Sequence, residues 1–218
     1  MMDVAMRRST PLCTATVRIL LWLPLLLGGC SRVAYEQMND PARDAWQHPK
    51  EVVDALNIPP GAVVADLGAG GGYFTFRLAE AVGPQGRVYA VDVDETSRRF
   101  IEQEGERRGG MPGNVELVLA APADPRLPPN GIDLIFTCNT YHHLSDRRRY
   151  VASLRGALRP GGRIAIIEFK DEGWMARLFG HATAKETVRE DLEHAGYRRI
   201  DDFEFLPKQH FQIFTPSK

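Results

Sequence analysis

A short apolar run that ends in an acid and breaks at once into glycines constrains this chain most: Val63-Val64-Ala65-Asp66-Leu67-Gly68-Ala69-Gly70-Gly71-Gly72-Tyr73-Phe74. Helical spacing follows directly in Phe74-Thr75-Phe76-Arg77-Leu78-Ala79. Strand, tight turn and helix in that order form the first unit of a doubly wound α/β sheet, in which ligands bind beyond the carboxyl ends of the strands. The loop also discriminates between ligands. A dinucleotide fingerprint G-x-G-x-x-G beginning at Gly68 needs a small residue at position 73, where helix and strand pack closely. This chain has Tyr73 there, and its own spacing is D-x-G-x-G-x-G from Asp66 to Gly72. Glycines let the backbone approach a ligand closely. The carboxylate at the strand end suits a cationic group, such as an amino acid's ammonium, better than a pyrophosphate.

Four further apolar runs follow at regular intervals. Arg87-Val88-Tyr89-Ala90-Val91-Asp92 is a second buried strand ending in an acid. An acid about 20 residues beyond the glycines can accept bonds from ribose hydroxyls. Val115–Leu119 and Ile132–Thr137 read as the third and fourth strands. Leu158-Arg159-Pro160-Gly161-Gly162-Arg163 reads as a helix-to-strand turn, with a fifth strand over Ile164–Phe169. Together these motifs resemble the class I S-adenosylmethionine-dependent methyltransferases, from about Pro60 to Phe214. The resemblance implies an α/β, doubly wound, seven-stranded Rossmann-like sheet of order 3-2-1-4-5-7-6 with the last strand antiparallel. Tyr197–Phe205 and Phe211–Thr215, joined by Leu206–His210, match its closing hairpin. It also implies S-adenosyl-L-methionine as cofactor, with Asp66, Gly68, Gly70, Gly72 and Asp92 as binding residues. In the adenine region Ala121 stands where the family often has an acid, so Asp124 is the candidate that reaches round.

The resemblance puts the acceptor near the end of strand four, at Thr137-Cys138-Asn139-Thr140-Tyr141-His142-His143-Leu144. This polar loop resembles those of small-molecule methyltransferases, including the quinone-biosynthesis group, rather than the N-P-P-Y loops of amide and adenine methyltransferases. Asn139, His142 and His143 are the catalytic candidates. Neutral imidazole titrates near physiological pH and can act as a general base. The resemblance favours His143, and the alternative is a histidine that packs beneath the cleft. Two adjacent histidines without further ligands make no metal site. The activity expected is methyl transfer to a small-molecule or lipid-like acceptor. The competing reading is an exported, non-catalytic binding protein that keeps the fold.

The chain has 218 residues, 44% of them hydrophobic, and a net charge of −1. That is ordinary globular composition with no basic excess to suggest a nucleic-acid partner. Its densest basic cluster, Arg147-Arg148-Arg149, reads as a solvated helix face. The N-terminus is different. Arg7, Arg8 and Arg18 precede the apolar run Ile19–Leu27, and Gly28-Gly29-Cys30 follows. A basic flank, a short apolar core and small residues describe a secretory signal. The run is shorter than the ~20 residues a spanning helix needs. Leu27-Gly28-Gly29-Cys30 resembles a bacterial lipobox, which implies cleavage before Cys30 and lipidation of that cysteine. The expected organisation is a signal peptide over 1–29, a tether and arm over 30–49 and a methyltransferase domain over 50–218. The expected location is the cell envelope, on the membrane through Cys30. It becomes the cytoplasm if Met38 is the true start.

The arm from Asp40 to Pro49 holds Trp46 among charges and either folds over the cofactor cleft or packs on the domain. Lys50–Asn57, Asp94–Arg108 and Thr183–Ala195 have helical spacing, and Gly196 suits a C-cap. Ser145 is positioned to cap a helix carrying Tyr150, Val151, Leu154 and Leu158 inward. Trp174, Met175, Leu178 and Phe179 are candidates for an acceptor pocket or for core.

Overall fold

The computed structural model describes residues 38–170 and 182–217. Strands β1 (Val63–Leu67), β2 (Arg87–Asp92), β3 (Val115–Leu119), β4 (Ile132–Cys138), β5 (Leu158–Phe169), β6 (Tyr197–Phe203) and β7 (Gln209–Pro216) form one sheet. Its order is β3-β2-β1-β4-β5-β7-β6. The β1–β5 ladders are parallel, and β7 runs antiparallel to both β5 and β6. This is the expected order and closing hairpin. The strand order reverses between β1 and β4, and that switch point opens a crevice above their carboxyl ends.

Around the sheet lie helices α1 (Asp44–Gln47), α2 (Pro49–Ala55), α3 (Thr75–Val82), α4 (Glu95–Arg107), α5 (Arg147–Leu154) and α6 (Lys185–His194). Side chains alternate across a strand, so a sheet covered on both faces needs apolar residues at consecutive positions. Val64, Leu134, Phe136 and Ile167 pack with Val52 and Leu56 near α2 and with Leu78 and Val82 of α3. Their neighbours Ala65, Ile135 and Ile166 pack on the other face with Val151 and Leu154 of α5 and Val188 and Leu192 of α6.

The structure departs from the sequence reading in several places. The cap of α5 is not Ser145. Asp146, in the left-handed region at φ 46°, holds the N-cap position and makes no side-chain cap bond. Leu158 is buried as expected but begins β5 rather than extending α5, because it pairs with Ile132 ahead of a register shift at Ile132/Leu134. Arg147 and Arg148 are not simply solvated. Arg148 Nε donates to Asp191 Oδ1 at 2.8 Å, Arg147 Nη1 donates to Thr183 Oγ1 at 3.2 Å, and the Arg147 guanidinium lies 5.6 Å from the Tyr141 ring. They tie α5 to α6. Trp174, Met175, Leu178 and Phe179 lie outside the described residues, as does Cys30 with the whole signal segment.

Candidate active site

The glycine loop sits at the carboxyl end of β1 and is laced to β2. Gly68 and Ala69 N–H donate to Val91 O at 2.8 and 3.1 Å, and Gly70 N–H donates to Asp92 Oδ2 at 2.9 Å. Ser97 Oγ donates to Gly70 O at 2.5 Å. Gly68, Gly70 and Gly72 have φ of 77°, 56° and 84°, a region that penalises a side chain. Each glycine has a further role. A Cβ at Gly68 would stand 2.2 Å from Thr140 Oγ1, so its absence lets the β4 loop close on the β1 loop. At Gly70 a Cβ would meet Met38 Sδ at 3.3 Å. At Gly72 it would meet Phe76 and Ile101 at 3.0 and 3.1 Å, so the absence of a side chain there also serves helix packing.

Asp66 is buried, and Thr75 Oγ1 donates to its Oδ2 at 2.6 Å. Burial pushes its carboxyl up to about 7; the Thr75 bond opposes the rise, the nearby Asp92 charge adds to it, and Arg43 also opposes it. A carboxylate that is costly to ionise in the dry site gains from a cation beside it. Asp92, partly exposed, accepts Gly70 N–H on Oδ2 and Asp94 N–H at 3.0 Å on Oδ1. Two bonds leave a carboxylate about two lone pairs, enough for ribose hydroxyls. These residues therefore fit an adenosyl amino acid: Asp66 for the ammonium, Asp92 for the ribose and the loop backbone between them. Asp124 is exposed in a turn bridged to Ala121, and its Oδ1 accepts Arg126 N–H at 2.8 Å.

The second half of the crevice lies over β4, β5 and β7. Asn139 directly follows β4 with φ 56°, a conformation asparagine tolerates better than most residues. Its Oδ1 accepts from Gln209 Nε2 at 2.5 Å, and Gln209 Oε1 accepts from Gln47 Nε2 at 2.5 Å. Both glutamines are fully buried, so this chain of amides joins α1 to the acceptor loop. A 3-10 turn over Tyr141–His143 follows. His142 Nδ1 lies 2.9 Å from Glu168 Oε2, which also accepts His142 N–H at 3.2 Å. Glu168 is fully buried, and its Oε1 accepts Phe169 N–H at 2.8 Å. With its hydrogen on Nδ1, the ring would donate to Glu168 and leave Nε2 as its basic atom. His143 is exposed, with its ring centroid 4.0 Å from that of His142. Burial pushes the Cys138 thiol up to about 12, which leaves it neutral.

The arm rests on the glycine loop. Asn39 Nδ2 donates to Gly71 O at 2.5 Å, Tyr73 OH donates to Asp44, and Arg77 pairs with Asp44 at 3.1 Å. Tyr73, the residue that breaks the dinucleotide fingerprint, thus anchors the arm. Sequence reasoning missed Glu168, Gln209, Gln47 and Arg43. Only Glu168 left a signal, a lone acid in the apolar run Ile164–Phe169.

Residues 64–162 match the family described as "Methyltransferase domain". The chain is 30% identical over 139 residues to the ubiquinone/menaquinone biosynthesis C-methyltransferase UbiE of Pasteurella multocida, covering 62% of this chain and 51% of that one. The chain spans about half the length of the curated relatives it matches. A S-adenosylmethionine-dependent methyltransferase from Aquifex aeolicus superposes with TM-score 0.76 at 26% identity, covering 84% of this chain and 96% of that one. A 1,6-didemethyltoxoflavin-N1-methyltransferase from Burkholderia thailandensis, solved with S-adenosylhomocysteine, shares the fold. It has TM-score 0.63 and 20% identity over 94% of each chain.

Proposed function

We propose, from the premise that this chain carries a class I S-adenosylmethionine-dependent methyltransferase domain, that it transfers a methyl group to a small, lipid-like aromatic acceptor. The observation that carries the reading is the juxtaposition at the switch point. A glycine loop with Asp66 and Asp92 stands on one side, and the Glu168-oriented His142 stands on the other. When bound, the cofactor supplies a methyl group on a sulfonium, already activated for displacement. The chain then has to align the acceptor and exclude water. Asp66 would hold the ammonium and Asp92 the ribose. His142 Nε2 takes a proton from the acceptor, and buried Glu168 stabilises the imidazolium that results. We assign this role to His142 because the buried carboxylate of Glu168 lies 2.9 Å from its Nδ1 and orients the ring.

The curated relatives are named for C-methylation in ubiquinone and menaquinone biosynthesis, which supports a quinol-like ring as acceptor here. Carbon methylation of such a ring releases a proton, which gives the base a task. The non-catalytic alternative finds no support in these comparisons. The test combines the purified full-length chain, methyl-labelled S-adenosylmethionine and a demethylated quinol with an isoprenoid tail. Label on a ring carbon supports the proposal; cofactor binding without transfer to this acceptor overturns the quinol assignment. Lipidation at Cys30 and a place in the cell envelope are proposed from the sequence alone. Mass spectrometry of the N-terminal peptide from the native host decides them, and an unmodified peptide beginning at Met1 or Met38 contradicts both.

A further inference from the structure

The amides of Gln47, Gln209 and Asn139 run from the arm to the end of β4, and a residue that can only donate fixes their direction. Arg43 lies in the strap that the arm lays over the glycine loop, and its Nε donates to Gln47 Oε1 at 3.1 Å. A guanidinium has no acceptor, so the Gln47 oxygen must face it. Gln47 Nε2 is thereby turned the other way, onto Gln209 Oε1 at 2.5 Å. Gln209 Nε2 is turned in the same sense, onto Asn139 Oδ1 at 2.5 Å, with Cys138 Sγ at 3.9 Å. Both glutamines are fully buried, so reversing either would set donor against donor with no water to relieve it. The direction of an amide is decided by its partners, and here the Arg43 end decides all of them.

The relay stops at Asn139. Its backbone N–H donates to Ile167 O at 2.9 Å, which ties it to β5, and its Oδ1 is taken by Gln209. What remains is the Nδ2 amino group, with no hydrogen-bond partner among the described residues. The residue is half-buried, directly beyond the carboxyl end of β4 and ahead of the turn that carries His142.

We propose that Gln209 and Gln47 are positioning residues of the acceptor half: they lock the Asn139 amide with its oxygen inward, so that the site offers N–H donors and selects an acceptor whose ring oxygen is ionised over the same molecule with a neutral hydroxyl. This rests on reading the β4 loop as the acceptor half of a methyltransferase, and adds the form in which the acceptor is held. An ionised oxygen takes a stronger bond from an N–H than a neutral one does. It also makes the neighbouring ring carbon nucleophilic. The proton it has lost is the one assigned above to His142 Nε2.

The test titrates the full-length chain, saturated with S-adenosylhomocysteine, with para-nitrophenol, whose colour reports its ionisation. The wild-type chain should hold the ionised form about tenfold to a hundredfold more tightly than the neutral one, seen as ionisation of the bound dye at lower pH. Asn139→Asp keeps the bond from Gln209 but replaces the amino group with an oxygen, and should cut the preference by at least about tenfold. Gln209→Met frees the amide to turn and should lose part of the preference while S-adenosylhomocysteine affinity stays unchanged. If Gln209→Met fails to fold, Gln47→Met, in the arm rather than the sheet, carries the same expectation. Equal weakening of both forms by the methionine variant would mean that the glutamines only brace the fold, and would overturn the proposal. So would an unchanged preference, or a wild-type chain that binds neither form. A wild-type chain that shows the preference but methylates no quinol overturns the acceptor named above and leaves this inference standing. If S-adenosylhomocysteine does not bind, the cofactor reading fails, and this inference with it.

Discussion

The two halves of the crevice are built on different plans. The cofactor half is local and made largely of backbone: Gly68, Gly70 and Gly72 lie within five residues, and Asp92 closes on the Gly70 amide one strand later. The acceptor half is assembled from side chains that the fold gathers across the chain. His142 meets Glu168 from 26 residues away, and Gln47 meets Gln209 from 162 residues away. Backbone geometry can hold one invariant ligand with few side chains. Side-chain networks can be exchanged without rebuilding the loop, which under the proposed function would suit the half that receives the acceptor.

That contrast predicts separable effects. The largest belongs to the acceptor half. His142→Ala should lower turnover by about 10²–10⁴-fold, the usual worth of a positioned base, while S-adenosylhomocysteine affinity stays near wild type. Glu168→Gln should lower turnover by a smaller factor, because it removes the carboxylate that orients the His142 ring. If both variants instead lose ligand binding, the two halves are not independent.

Next in size is a test of the loop as backbone. Gly72→Ala places a methyl against Phe76 and Ile101 in a left-handed conformation. It should destabilise the chain by roughly 1–3 kcal/mol, read as a lower Tm. Little change in Tm would mean that the loop relaxes more easily than its packing implies.

The pH dependence of ligand affinity is a smaller and sharper probe. Without ligand, burial holds the Asp66 carboxyl up at about 7, from an ordinary value of 3.8. The folded state thus binds the Asp66 proton more tightly than the unfolded chain. Its contribution to stability is full below pH 4 and is lost as pH rises through about 7. A cationic ligand reverses the preference, because it needs the ionised carboxylate. Affinity for S-adenosylhomocysteine should therefore rise between about pH 6 and 8, with proton release on binding below pH 7. Asp66→Asn should flatten this dependence. The smallest expected effect is at the strap: Tyr73→Phe removes the bond to Asp44 and should cost about 1 kcal/mol of stability.

The same contrast explains what could be read before the structure. The five apolar runs, the glycine loop and the terminal hairpin were legible as local patterns, and the strand order was implied by the family they resemble. Asp66 and Asp92 followed from their position at strand ends. The boundary of α5 did not, because Asp146 enters the helix through a left-handed turn that Ser145 gives no hint of. Leu158 fits a helix period equally well, and only its pairing with Ile132 assigns it to β5. Glu168 was visible as an acid among apolar residues, but its partner was not. Gln47, Gln209 and Arg43 carry no local signal, since their roles come from strand β7 and the arm arriving at one place.

The account stands or falls on the cofactor half, and calorimetry tests it most directly. The full-length chain is titrated with S-adenosylhomocysteine and, separately, with NAD, each repeated on Asp92→Ala. The account predicts saturable binding of S-adenosylhomocysteine and none of NAD. It also predicts that Asp92→Ala weakens binding by about 1.5–3 kcal/mol, the worth of charge-assisted bonds to the ribose. Tight NAD binding, or a well-folded chain that binds no adenosyl ligand, would contradict it.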